Sequence, residues 1–265
     1  MKRQLTFLRL LAVFLCSTFT TMAAVENPVT DSGWFGFLRH DFVVAGRPAL
    51  LIVPSKPAPG KPWIWRPEWF GDFPQADLAL LARGWHVGYM NVKDMYGDPA
   101  SMKLLDAYYR RVRADYGLAP RVVMEGVSRG GLYAFNFAAT WPERVSALYL
   151  DAPVLDLNSW PGRKSPLWAE VLAGYGLTDA QMATAKVSPL DRIEPVVCAG
   201  IPIFGVSGDA DESVPYLENL AVLEKRYRAA GGRIEVVIKP GGKHHPHSLE
   251  DPTPIVDFLI KYGLK

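Results

Sequence analysis

Residues 121–140 read RVVMEGVSRGGLYAFNFAAT. Arg121 to Glu125 is a β-rich run, Leu132 to Thr140 a helical one, and Gly126-Val127-Ser128-Arg129-Gly130 stands between them. This is G-x-S-x-G in a strand, turn, helix setting, which is the context that gives the pentapeptide meaning. A turn that tight strains the serine backbone, and side-chain-free neighbours at Gly126 and Gly130 are expected to let strand and helix approach. The turn lifts the Ser128 hydroxyl clear of the sheet. It also starts a helix there, whose dipole and free N–H groups favour negative charge on a reacting oxygen. Ser128 is therefore the candidate nucleophile.

A serine nucleophile needs a base, and the base needs an acid to hold its tautomer. The predicted strand Ile203 to Val206 runs into Ser207-Gly208-Asp209-Ala210-Asp211-Glu212-Ser213-Val214-Pro215. Two aspartates qualify; Asp211, three residues before the Val-Pro pair, is favoured, and Asp209 is the alternative, with bracing of the turn as its other role. Three of the five histidines lie in Gly241-Gly242-Lys243-His244-His245-Pro246-His247. His244, two residues after a glycine, is the expected base, with His245 next and His247 last. Three histidines so close are also a possible metal site. Pro246 constrains the loop and no cysteine or second histidine cluster adds ligands, so no metal and no cofactor are expected.

Outward from this core, β-rich and helical runs alternate, the mark of a mostly parallel sheet covered on both faces. Predicted strands are Leu50 to Val53, Trp63 to Trp65, His86 to Val92, Arg121 to Glu125, Ala147 to Leu150, Ile203 to Val206 and Ile234 to Ile238. Asp98 is placed to cap a helix from Pro99 to about Tyr116, ended by Gly117. Further helices are expected over Leu217 to Ala230 and Pro254 to Lys261. The stretch from about 155 to 199 breaks the alternation and reads as a small lid insertion with a helix near Pro166 to Tyr175.

At 265 residues, 49% hydrophobic and 21% charged, the chain is long enough for one α/β domain with a full core. Residues 1–24 carry Lys2, Arg3 and Arg9, an apolar stretch through Leu10 to Leu15, and Ala23-Ala24 at the end. That is the layout of a secretory signal peptide, leaving residues 25–265 as the one folded domain, secreted or periplasmic, with no stable membrane insertion after cleavage. A retained anchor needs about twenty unbroken apolar residues, and Ser17, Thr18, Thr20 and Thr21 interrupt; a lipid-attachment reading at Cys16 is poorly served by Leu15. Cleavage takes three basic residues, so 29 against 27 becomes 26 against 27. A near-neutral balance gives no reason to expect nucleic acid. Cys198 would then be the one cysteine, most simply a small buried residue.

One oxyanion donor is expected from the backbone N–H of Arg129. The other should come from Trp63-Ile64-Trp65-Arg66-Pro67-Glu68-Trp69-Phe70; Pro67 has no N–H, which leaves Glu68 or Trp69. Trp63, Trp65, Trp69, Trp160 and Trp168 fall in segments that should rim the site and suit sugar rings, although core packing serves Trp63 and Trp65 equally well. Arg66 and Trp160 are the candidate substrate-binding residues, and Arg66, Glu68 and Arg129 place charge near the mouth.

Ser128-Arg129-Gly130-Gly131-Leu132-Tyr133-Ala134, Asp151-Ala152-Pro153-Val154 with Trp160-Pro161-Gly162, and His244-His245-Pro246-His247-Ser248-Leu249 together resemble secreted bacterial α/β hydrolases of the prolyl oligopeptidase and acetyl esterase branches. The resemblance spans nearly the whole chain after the leader. It implies the α/β-hydrolase fold, a Ser-Asp-His triad and an esterase-type activity, in company with polysaccharide breakdown. The usual His-Gly pair of the oxyanion loop is absent. Three function classes follow: an ester hydrolase acting on short acyl, chiefly acetyl, esters of carbohydrates, with a small-molecule or oligosaccharide ester as partner; a serine peptidase of the prolyl oligopeptidase type; and a non-catalytic carbohydrate-binding relative.

Overall fold

The computed structural model describes residues 29–264; the leader expected over residues 1–24 lies outside them. Nine strands form one sheet. The first three, β1 (Thr30–Trp34), β2 (Phe37–Val44) and β3 (Arg47–Val53), make an antiparallel meander. Neither β1 nor β2 was expected. Their hairpins turn on Phe35-Gly36 and Ala45-Gly46, all four with positive φ, so the left-handed first position is held by a residue other than the Asn or Asp that usually signals such a turn.

The strands that follow are β4 (Trp63–Trp65), β5 (His86–Met90), β6 (Val122–Val127), β7 (Val145–Asp151), β8 (Ile203–Gly208) and β9 (Ile234–Lys239). The sheet order is β1-β2-β3-β5-β4-β6-β7-β8-β9, parallel from β5 to β9. Strands β6 and β7 are buried at every position, as central parallel strands covered on both faces must be.

Two apolar cores lie on the two sides of the sheet. Helices α1 (Gln75–Leu81) and α8 (Thr253–Gly263) cover one side, α8 through Ile255, Val256, Phe258 and Leu259. On the other side lies α2 (Pro99–Tyr116), whose inward stripe is Met102, Leu105, Tyr108 and Val112. Its start and stop are as expected: the Asp98 carboxylate accepts from the Ser101 N–H at 2.6 Å, and Gly117 closes it with φ 62°. Beside it runs α3 (Gly130–Thr140), buried from Gly130 through Ala139.

Residues 152–202, between β7 and β8, hold α4 (Trp168–Tyr175), α5 (Asp179–Met182) and α6 (Ile193–Cys198). The expected lid therefore contains two kinds of structure. Helix α6 packs on α3 and on α7 (Leu220–Ala229) as the helix a parallel β7-to-β8 connection requires, whereas α4 leans toward residues near α2. Cys198 is exposed, contrary to expectation. It ends α6 on the outer side, while Ile193 and Val196 point inward.

Candidate active site

Strand β6 delivers the turn. Ser128 takes φ 50°, the left-handed strain such a turn demands. Its N–H donates to the Asp151 carbonyl at 2.8 Å, and its own carbonyl accepts from Gly131 and Val154 at 3.0 and 2.8 Å. The glycines do not share the work as expected. A Cβ on Gly126 would meet the Gly131 Cα at 2.8 Å, and one on Gly131 would meet the Pro153 Cβ at 2.7 Å, but one on Gly130 has nothing nearer than 3.9 Å. Gly126 and Gly131 are the pair that lets strand and helix approach.

The Ser128 hydroxyl lies 2.9 Å from Nε2 of His244, and Nδ1 of His244 lies 2.7 Å from Oδ2 of Asp211. The other Asp211 oxygen accepts from the N–H groups of Ser213 and Val214 at 2.8 and 2.9 Å, which locks a carboxylate whose side chain is wholly buried. With Nδ1 donating to Asp211, Nε2 is left to accept the serine proton. Asp209 takes its alternative role, accepting from the Gly241 N–H at 2.6 Å on the outside of the turn. His245 is exposed and stacks on Phe73. His247 is buried, with Nδ1 2.8 Å from Asp151, and that carboxylate also accepts from the Tyr149 hydroxyl and the Ser248 N–H.

A cavity of about 310 Å³ opens over Ser128. Trp69, Trp160, Phe73 and Asp72 wall it with the three histidines and Ser213. A larger cavity of about 430 Å³ between α2, α3 and Tyr175 contains none of these groups. Arg129 stands behind the Trp69 and Trp160 rings of the active-site wall. Nε and Nη2 make a two-pronged pair with Glu68, both at 2.8 Å, and Nη1 reaches Asp94 at 2.9 Å. Its guanidinium also lies 5.3 to 5.9 Å from the ring centres of Trp69, Tyr96 and Trp160. Burial pushes the Glu68 carboxyl up, and its bonds to Arg129 pull it back. Burial pulls the guanidinium down, but Glu68 and its neighbours outweigh this and raise it. The Arg129 charge is thus spent within the protein.

Among the described residues no protein acceptor takes the N–H of Arg129 or of Trp69. They remain the candidate oxyanion donors, and Trp69, whose backbone is left-handed with φ 57°, lines the cavity with Ser128. The Glu68 side chain is buried against Arg129 and leaves only its backbone for this role.

Arg66, expected at substrate, is elsewhere. It is 2% exposed, pairs with the buried Glu125 and lies 3.6 Å from the buried Asp77. Nη1 donates to the carbonyls of Trp69 and Asp72, so Arg66 ties the cavity loop to β6 from below. Trp63, Trp65 and Trp168 belong to the core, at 1%, 0% and 6% exposed. Of the five tryptophans, Trp69 and Trp160 reach the cavity. Asp151, Asp94 and Tyr96 were not singled out as site residues, since the partners that tie them to the site, Ser248 for Asp151 and Arg129 for Asp94 among them, lie 35 to 97 residues away and no local pattern marks such contacts.

The model of the prolyl oligopeptidase family matches residues 92–262, well over half the chain. A search of curated proteins returns no match. Among solved structures, dipeptidyl peptidase 4 of Porphyromonas gingivalis superposes with a TM-score of 0.65 at 15% identity, over 89% of this chain and 36% of that one; this chain spans about a third of that protein's length. An S-formylglutathione hydrolase of Agrobacterium tumefaciens gives 0.65 at 14% identity over 89% and 98%. A cold-adapted esterase from an Arctic intertidal metagenomic library gives 0.59 at 17% over 88% and 97%. The neighbours share the α/β-hydrolase fold, and the family match covers β6 through α8, the part of the chain that carries Ser128, Asp211 and His244. This chain, with its nucleophile turn inside that match, belongs to the prolyl oligopeptidase family of serine hydrolases.

Proposed function

We propose that the protein hydrolyses short acyl esters, acetyl esters of carbohydrates foremost, through an acyl-enzyme on Ser128. The observation that carries this reading is the hydrogen-bonded chain from Ser128 through His244 to the buried Asp211. His244 takes the hydroxyl proton as Oγ bonds to the acyl carbon. Asp211 stabilises the imidazolium, and the N–H of Arg129 with that of Trp69 receives the negative oxygen. The tetrahedral adduct collapses with loss of the alcohol, which leaves with the proton from His244. Water then enters by the same route, freeing the carboxylic acid and Ser128.

The cavity of about 310 Å³ suits a small acyl group. Trp69, which is 39% exposed, and Trp160 offer ring faces to a sugar at its rim. Export through residues 1–24 would bring such an enzyme to extracellular polysaccharide; among the described residues no helix is long and apolar enough to cross a membrane. A peptidase activity is the second reading, favoured by the family itself.

The test is to treat the purified protein and Ser128→Ala with a fluorophosphonate probe. Both are then assayed on p-nitrophenyl acetate, acetylated xylo-oligosaccharides and a peptide panel. Labelling and deacetylation by the parent alone support the proposal. Faster cleavage of peptides than of esters moves the assignment to a peptidase, and sugar binding without labelling or turnover moves it to a binding protein.

A further inference from the structure

The hydrolytic mechanism uses one of the three histidines on the β9-to-α8 loop, and the loop's own anchoring explains a second. One ring nitrogen of each of His244, His245 and His247 lies within 4.8 Å of those of the other two. The rings stand edge to face, 4.8 to 4.9 Å between centres. His244 and His247 each give Nδ1 to a buried aspartate, Asp211 at 2.7 Å and Asp151 at 2.8 Å, which leaves Nε2 of both unclaimed by a carboxylate. Metal-binding histidines are held this way, with the second nitrogen fixed by a carboxylate so that ring orientation and tautomer are set beforehand.

His245 has neither duty. It is exposed, forms no hydrogen bond among the described residues, and rests on Phe73 at 5.9 Å. The loop is pinned by Lys239, whose ammonium donates to the carbonyls of Pro246 and Ser248. The restraint on the loop thus favours a ligand set, because two of the imidazoles are already held in place by carboxylates. The surrounding charge also favours a cation. Asp72 lines the cavity, Asp151 and Asp211 lie behind the rings, and of the nearby cations Arg129 is taken by Glu68 and Asp94 while the Lys239 ammonium is turned to the loop carbonyls.

We propose that His244, His245 and His247 form a binding site for a divalent transition-metal ion, zinc above all, whose occupancy shuts the hydrolase by taking the nitrogen that must accept the Ser128 proton. Three imidazoles suit zinc, with Ser128 Oγ or water as the fourth ligand of a tetrahedron. Zinc–nitrogen bonds of about 2.0–2.1 Å put tetrahedral neighbours roughly 3.4 Å apart, so the set must tighten by about 1.4 Å. Rotation of the exposed, unbonded His245 ring shortens its own two separations, while the His244–His247 separation closes only by movement of those two rings against their aspartates. The inhibitory role rests on the function proposed above; the binding site does not.

The experiment uses the full chain, freed of metal by a chelator. Zinc is titrated calorimetrically into Ser128→Ala and into Ser128→Ala/His245→Ala, and Co²⁺ is added to both as an optical probe. The site predicts one zinc per chain, a tetrahedral Co²⁺ absorption band, and at least about tenfold weaker binding without His245. Zinc inhibition, measured against each enzyme's own metal-free rate, should weaken in parallel in His245→Ala. No saturable zinc binding, or equal affinity in the two proteins, overturns the site. One zinc bound through His245 to a protein that the fluorophosphonate never labels would end the hydrolase reading and its inhibition while the site stands.

Discussion

Replacing Arg66 with methionine separates a structural arginine from a substrate-binding one. The guanidinium, at the end of β4, faces Glu125 of β6 and Asp77 of α1, and none of the three is more than 2% exposed. Burial pulls the guanidinium toward neutrality, but Asp77 and Glu125 together outweigh it and keep the charge on. Burial also pushes the Asp77 carboxyl well above the usual range; Arg66 opposes this and Glu125 adds to it. Arg66 is thus the one cation set against two buried carboxyl groups, Glu125 in direct contact and Asp77 at 3.6 Å. Arg66→Met leaves the Glu125 carboxylate buried and unpaired, a loss of about 3–5 kcal/mol. At roughly 2–4 °C per kcal/mol for a domain of this size, the melting temperature should fall by about 6–20 °C. The assay is thermal unfolding of parent, Arg66→Met and Arg66→Met/Glu125→Gln, with KM for p-nitrophenyl acetate measured well below each transition. The double variant should recover part of the loss, since no charge is then stranded. A melting temperature within about 2 °C of the parent, less than 1 kcal/mol by the same scaling, together with a large rise in KM, would refute the argument and return Arg66 to the substrate.

Three further outcomes are expected. Burial, with Lys61 adding to it, lowers the His86 pKa to about 4, so the folded protein keeps the ring neutral while the unfolded chain protonates it near 6.5. That contribution is complete above pH 6.5 and is lost as pH falls toward 4, up to about 3 kcal/mol; urea midpoints across this window should flatten in His86→Gln, and an unchanged acid limb would exclude the ring as its cause. Asp211→Asn should lower kcat by about 10⁴ with the fold intact, whereas Asp209→Asn, whose amide oxygen still accepts from the Gly241 N–H at an exposed turn, should stay within about tenfold; the reverse ranking would reassign the acid. Gly131→Ala should cost about 1–3 kcal/mol, because its Cβ would stand 2.7 Å from Pro153 and 2.8 Å from the Val154 carbonyl. Gly130→Ala should be tolerated, and fluorophosphonate labelling with chemical denaturation checks both.

The elements legible in the sequence were those governed by near neighbours. The turn at Ser128 shows because strand, glycine, serine and helix follow one another within twenty residues, and α2 shows because Asp98, Pro99 and Gly117 mark its two ends. Most of the strands β4 to β9 were legible as continuous apolar runs, β6 and β7 above all, since burial on both faces removes the polar alternation. The hairpins of β1 and β2 were not, because Phe35 and Ala45 hold left-handed positions for which their side chains give no signal.

Only the tertiary structure decided which groups meet. Ser128, Asp211 and His244 come from three separate strand ends, and a sequence offers candidates for each but no distances. It could not tell that the Arg66 charge is consumed under the cavity loop while Trp69, three residues on, reaches the cavity. Nor could it tell that Gly131 rather than Gly130 carries the close approach, since Pro153 and Val154 arrive from the end of β7. Local order is written in adjacent residues, but the fate of a charge or a Cβ depends on what the rest of the chain packs against it.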